Sequence, residues 1–133
     1  MSAYGDVSIL AAKRCQTGKV SSPVEAWESA VAEIFPVSLS LQKKACPRGA
    51  FLGLCEGGLV SGIARGHYTK SKRNKVYALK AARLLRVDPT LAKNTKILWN
   101  RLFRGRRVRA NGQMEVVAAL WNAGLISTCA TSD

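Results

Sequence analysis

Three glycines spaced four residues apart, Gly49, Gly53 and Gly57, constrain the fold of this chain more than any other feature. They follow Cys46-Pro47, which suits the start of a helix, and they alternate with bulky apolar residues. On a helix this spacing places the glycines on one face as a bare stripe. Each glycine inside a helix costs roughly 1 kcal/mol relative to alanine. A second helix packed unusually close would offset that cost, and we favour it over a ligand lying on the bare backbone.

The segment that precedes this stripe carries clear helix signals. Ser22 can cap a helix, Pro23 suits its first position and Glu25 lies where a capping box places a carboxylate. Apolar residues then follow at helical spacing until Pro36, which ends the element.

Two further helices are predicted around it. Residues 2–17 place apolar side chains three or four apart, and Gly18 follows where a helix ends in a left-handed residue. A short helix is expected from Ser38 or Ser40 to Ala45.

The longest predicted helix begins at Thr69 or Ser71 and ends at Val87, before Asp88-Pro89. A turn of 100° per residue gathers six bases within one arc, and apolar side chains occupy the opposite side. The six are Lys72, Arg73, Lys75, Lys80, Arg83 and Arg86.

Two more helices are expected in the C-terminal part of the chain. One begins near Asn94 or Thr95 and ends at Gly105, with Ile97, Leu98, Leu102 and Phe103 inward and Trp99 on its flank. The other follows the turn signal Asn111-Gly112 and stops at Gly124. Its ending, residues 120–127, resembles residues 54–61, and shared capping chemistry explains the match as well as a duplication does.

These elements predict an all-α, single-domain orthogonal bundle of about six to seven helices over residues 1–133. An apolar content of 47% with 22% charged residues is typical of a globular chain. No convincing alternating strand is present, although residues 107–110 could form a short one.

The charge is confined to one third of the chain. Residues 65–109 carry fifteen lysines and arginines against one acid, Asp88, whereas residues 1–64 carry six bases and five acids. Residues 110–133 carry two acids and no base, and the formal net charge is +13. Such an excess disfavours the compact state and favours association with polyanions.

Several function classes find no motif. The start of the chain lacks the basic and apolar regions of a signal peptide, and no apolar run reaches the length of a membrane helix, so we expect a cytoplasmic protein. The four cysteines (Cys15, Cys46, Cys55 and Cys129) are then expected to be reduced, with Cys15 and Cys55 buried. With no C-x-x-C pair and a single histidine, His67, no metal site and no cofactor are expected.

The sequence therefore favours a non-enzymatic protein that binds DNA or RNA mainly through phosphate contacts. Arginine suits this role because its planar fork matches phosphate. The candidate residues for this nucleic-acid or anion site are Thr69, Lys70, Ser71, Lys72, Arg73, Lys75, Lys80, Arg83, Arg86, Arg101, Arg104, Arg106, Arg107 and Arg109.

Two alternatives remain open. The basic surface could dock on an acidic protein partner, or a small enzyme or ligand-binding domain could use the glycine-rich helix and Cys46. A thiol at a helix N-terminus has its thiolate stabilised by the helix dipole, but structural cysteines are far commoner than catalytic ones.

One anion site is predicted in more detail, at the first turn of the long basic helix. Lys72, Arg73 and Lys75 lie there without an acid, where the dipole alone favours Asp or Glu. We expect a phosphate held by backbone N–H groups and the hydroxyls of Thr69 or Ser71, or else side chains that simply extend into solvent.

Two motifs carry a resemblance that spans nearly the whole chain. Residues 46–55 match Cys-Pro-x-Gly-Ala-Phe-Leu-Gly-Leu-Cys, and residues 68–75 match Tyr-Thr-x-Ser-Lys-x-Asn-Lys. The chain resembles a family of small bacterial helical proteins of unknown function. That resemblance implies no activity and transfers no functional residue.

Overall fold

The computed structural model describes residues 2–104 and 106–127, and these form an all-α, single-domain bundle, as predicted. Seven α-helices and one 3₁₀ helix occur in this part of the chain. They are α1 (Ala3–Gln16), α2 (Pro23–Ile34), α3 (Leu39–Gln42), α4 (Ala45–Glu56), α5 (Lys72–Val87), the 3₁₀ helix (Pro89–Lys93), α6 (Thr95–Phe103) and α7 (Gln113–Asn122).

The first three helices, α1, α2 and α3, each begin with a serine N-cap. The Oγ atoms of Ser2, Ser22 and Ser38 accept from the backbone N–H groups of Gly5, Glu25 and Leu41 respectively. These bonds satisfy donors that a helix N-terminus otherwise leaves without a partner. The predicted caps at Ser22 and Ser38 are therefore confirmed, whereas Glu25 does not complete the expected capping box, because its Oε1 accepts from Ser21 Oγ (3.0 Å). The end of α3 was placed too late, since it stops at Gln42.

The glycine stripe of α4 is covered by α5. A Cβ atom on Gly53 would lie 2.5 Å from the Cα of Lys75, and one on Gly49 would lie 2.9 Å from the Cβ of Asn74. Only glycine permits this approach. The closely packed second helix, which the sequence analysis favoured, is confirmed, and α5 occupies the space where the alternative would have placed a ligand.

The two helix ends with similar sequences, residues 54–61 and 120–127, lie next to each other in the structure. Gly58 and Gly124 both have φ +73°, and each turns the chain out of its helix. The residues that follow form an antiparallel bridge between Val60 and Ile126, with Ser61 N donating to Leu125 O (2.8 Å). The repeated ending thus joins the residues that follow α4 to those that follow α7.

Helix α6 differs from the prediction in the residues that it buries. Trp99 is buried and its Nε1 donates to the carbonyl of Val108 (2.6 Å), whereas Ile97, expected inward, is 44% exposed. The helix ends at Phe103, two residues before the predicted end at Gly105, and Arg104 adopts the left-handed conformation (φ 49°). Residues 107–110 form no strand, and the 3₁₀ helix before α6 was not foreseen.

The core contains one of the two cysteines expected there. Cys55 is fully buried, and burial raises the pKa of its thiol well above the usual value. Cys15 is only half-buried, as is Cys46. Cys129 lies outside the described residues.

Candidate nucleic-acid interface

The bases of residues 65–109 lie mostly on the surface. Of the fifteen, only Lys75 and Arg86 are half-buried, and the other thirteen are exposed. The exposed residues are Arg65, Lys70, Lys72, Arg73, Lys80, Arg83, Lys93, Lys96, Arg101, Arg104, Arg106, Arg107 and Arg109.

Few of these charges are neutralised. The described residues contain three ion pairs, Arg14–Glu33, Arg48–Glu28 and Lys75–Glu56, and only the last involves residues 65–109. The single acid of the segment, Asp88, accepts from the backbone and hydroxyl of Thr90. Fourteen bases therefore have no carboxylate partner within the described part of the chain. A surface adapted only for stability would intersperse acids among them.

Lys75 serves the fold. Its Nζ lies 2.8 Å from Oε1 of Glu56, whose Oε2 accepts from the backbone N–H groups of Tyr68 (2.6 Å) and Thr69 (2.7 Å). Burial alone would raise the pKa of Glu56, but these bonds and the charge of Lys75 outweigh it and lower the pKa to about 2. The carboxylate ties the 61–71 loop and α5 to the end of α4. The sequence had placed Lys75 with the anion-binding bases and had assigned Glu56 no partner.

Arg86 is also used partly within the fold. Its Nη2 donates to the carbonyl of Ser127 (3.3 Å), and with Arg65 and Arg83 it lines a small cavity of about 240 Å³ at the end of α4. Helix C-termini favour nearby cations, so this cluster has a structural explanation.

The first turn of α5 has no side-chain cap among the described residues. Thr69 Oγ1 accepts from Ser71 N (3.0 Å), and Ser71 Oγ accepts from Asn74 Nδ2 (2.8 Å). Each hydroxyl acts here as an acceptor, which leaves its own hydrogen available to donate. Lys70, Lys72 and Arg73 are exposed around this turn.

The arginine-rich segment 106–109 is held against α6. The hydrogen bond from Trp99 Nε1 to the carbonyl of Val108 holds this segment against α6. Arg106, Arg107 and Arg109 share a cleft of about 640 Å³ with Asn100 of α6. Arg101 is exposed on the same helix.

The sequence analysis did not predict the groove that lies between α5 and this segment. Tyr77 and Phe103 are half-buried, and their rings meet edge to face at 5.1 Å. They line a groove of about 530 Å³ together with Lys80, Arg104 and Arg106. The helical period had placed Tyr77 away from the basic arc of α5, and nothing local showed that Arg104 and Arg106 would complete a groove beside it.

The two residues considered for nucleophilic catalysis, Cys46 and His67, lie on different elements. Cys46 is in the first turn of α4, and His67 is exposed in the 61–71 loop. Within residues 2–104 and 106–127 no group of three His, Cys, Asp or Glu side chains could hold a metal ion. No described helix is both long and apolar enough to cross a bilayer.

One family model covers residues 1–127 of the chain, and its description is a family of unknown function, DUF6979. The chain belongs to this family. DUF6979 carries no described activity, so membership assigns no role to the basic surface. No curated protein and no solved structure matches the chain at a significant level.

Proposed function

We propose that this DUF6979 protein binds nucleic acid, without catalysis, through the exposed bases of α5, α6 and segment 106–109. The observation that carries the proposal is the lack of neutralisation: thirteen of fifteen bases are exposed, and only Lys75 has a carboxylate partner in the described residues. Lysines and arginines that meet phosphates release counterions, which supplies affinity without sequence recognition.

The distribution of the charges supports a continuous contact with a backbone. Lys72, Arg73 and Lys80 are exposed along α5, which is 16 residues or about 24 Å long. Duplex nucleic acid carries one charge per roughly 1.7 Å of its axis, so a surface of this length faces many phosphates. Arg101, Arg106, Arg107 and Arg109 add four exposed bases outside α5.

An acidic protein partner remains the second candidate. The same unneutralised bases would attract it, and no described pocket adds a feature specific to a protein. We place the protein in the cytoplasm on the strength of its composition, where its thiols would stay reduced.

A titration at two salt concentrations tests the proposal. If about six phosphates are contacted, raising the salt from 50 to 200 mM should weaken binding to duplex DNA or RNA about a thousandfold. Polyglutamate of matched charge serves as the comparison. No binding to duplex or single-stranded DNA or RNA at 50 mM salt would refute the proposal, and tighter binding to polyglutamate would favour the acidic partner.

A further inference from the structure

The groove between α5 and the residues Arg104, Arg106 and Val108 combines two chemistries that duplex binding alone does not require. Tyr77, Leu102, Phe103 and Val108 supply an apolar lining, and bases supply its polar part. Its volume, about 530 Å³, falls within the range of roughly 300–1,000 Å³ that small-molecule pockets occupy.

The aromatic lining is fixed before any ligand arrives. Tyr77 meets Trp99 at 5.3 Å and 83°, and Trp99 meets Phe103 at 4.8 Å and 61°. Buried Trp99 is held in turn by its bond to the carbonyl of Val108. Edge-to-face contacts of this kind stabilise one arrangement of rings. The half-buried rings of Tyr77 and Phe103 therefore lose little further freedom when a ligand stacks on them.

The charged lining has one sign. Lys80, Arg104 and Arg106 are exposed, and no acid is among the described residues that line the groove. Arg104 is also the one described residue other than glycine with a positive φ, 49°. This conformation is strained for a residue with a side chain, and such strain often occurs at functional positions.

Rings beside unneutralised cations fit an unpaired nucleotide better than a duplex. In a duplex the bases are stacked on one another, whereas a single strand offers free base faces next to its phosphates. We infer that this groove binds a base of single-stranded nucleic acid, with Tyr77 and Phe103 as the stacking surface and Lys80, Arg104 and Arg106 contacting the flanking phosphates. This inference rests on the proposed function and narrows its ligand to unpaired strands.

An abasic strand separates stacking from charge. Single-stranded oligothymidylate and an abasic oligonucleotide of equal length carry the same phosphates, but only the first can stack. One stacked base should make the wild-type protein bind oligothymidylate roughly 5- to 150-fold more tightly than the abasic strand. Tyr77→Leu should remove most of this preference, and Tyr77→Phe should keep it.

Thermal unfolding of each variant verifies that it is folded. If Tyr77→Leu does not fold, the comparison of the two strands with the wild-type protein still decides the question. Equal affinity for the two strands would overturn the inference while leaving the proposed function intact. Failure of the proposed function would appear separately, as no binding of any strand or duplex at low salt.

Discussion

The two sides of α5 treat polar groups in opposite ways. On the side facing α4, Asn74 donates to Ser71 and accepts from Gln113, and Lys75 pairs with Glu56. On the outer side, Lys72 and Lys80 are exposed without a carboxylate partner among the described residues. The inner side satisfies its polar groups as a stable core requires. The outer bases are instead left to solvent without a described carboxylate partner, which supports the proposed binding role.

The largest expected effect is a loss of stability when the contact between α4 and the inner side of α5 is disrupted. Gly53→Ala places a Cβ 2.5 Å from the Cα of Lys75, and backbone cannot move aside as a flexible side chain can. We expect a loss of roughly 3–4 kcal/mol in the free energy of unfolding, measured by urea denaturation. Gly57→Ala is the matched control, because its Cβ would meet only the end of the Leu79 side chain (2.9 Å), and its stability should change little. Equal losses in both variants would contradict the packing account.

The next effect concerns the pH dependence of the inner side. The pKa of Glu56 is held at about 2, below its ordinary value of 4.5. A depressed pKa contributes stability that is complete above the ordinary value and is lost as the pH falls through the folded value. The free energy of unfolding should therefore drop by about 3 kcal/mol from this group between pH 5 and pH 2.

Glu56→Gln should be less stable at pH 7 and should lack most of that drop. Glu28→Gln is the control: it removes an exposed carboxylate 3.8 Å from Arg48, and the drop in the free energy of unfolding between pH 5 and pH 2 should stay nearly unchanged. An undiminished drop in Glu56→Gln would show that Glu56 does not hold the loop and α5 in place.

The smallest expected effect concerns a substitution of an exposed base on the outer side of α5. Lys72→Glu puts an acid at the first position of α5, where the helix dipole should stabilise the free protein by roughly 0.3–1 kcal/mol. The same change should weaken binding to nucleic acid. Lys80→Glu, in the middle of α5, should weaken binding without the gain in stability. If Lys72→Glu leaves binding unchanged, the first turn of α5 holds no phosphate.

Much of the fold was readable because its signals are local. The Ser22 cap and the left-handed glycines each determine the conformation of residues next to them in the sequence. The glycine stripe predicts a closely packed helix without specifying which helix it is. Trp99 and Ile97 were misplaced because the burial of Trp99 depends on the carbonyl of Val108, in a segment without periodicity.

The candidate site was readable only as a charge distribution. The sequence showed which residues are basic, but not that Glu56 neutralises Lys75 from a different helix. The aromatic groove depends on Tyr77 and Phe103 meeting across α5 and α6, a contact 26 positions apart in the chain. Pairings of this kind follow from tertiary packing, which no local pattern encodes.

The salt dependence of binding in two matched variants tests the central claim most directly. One variant changes Arg104, Arg106 and Arg107 to glutamine, and the other changes the exposed Lys13, Lys19 and Lys43 of the nearly charge-balanced residues 1–64 to glutamine. If the outer bases contact phosphates, the first should reduce the slope of log affinity against log salt by about 3, and the second should leave it near the wild-type value. Equal slopes in both variants would contradict the claim, because binding would then follow net charge and not this surface.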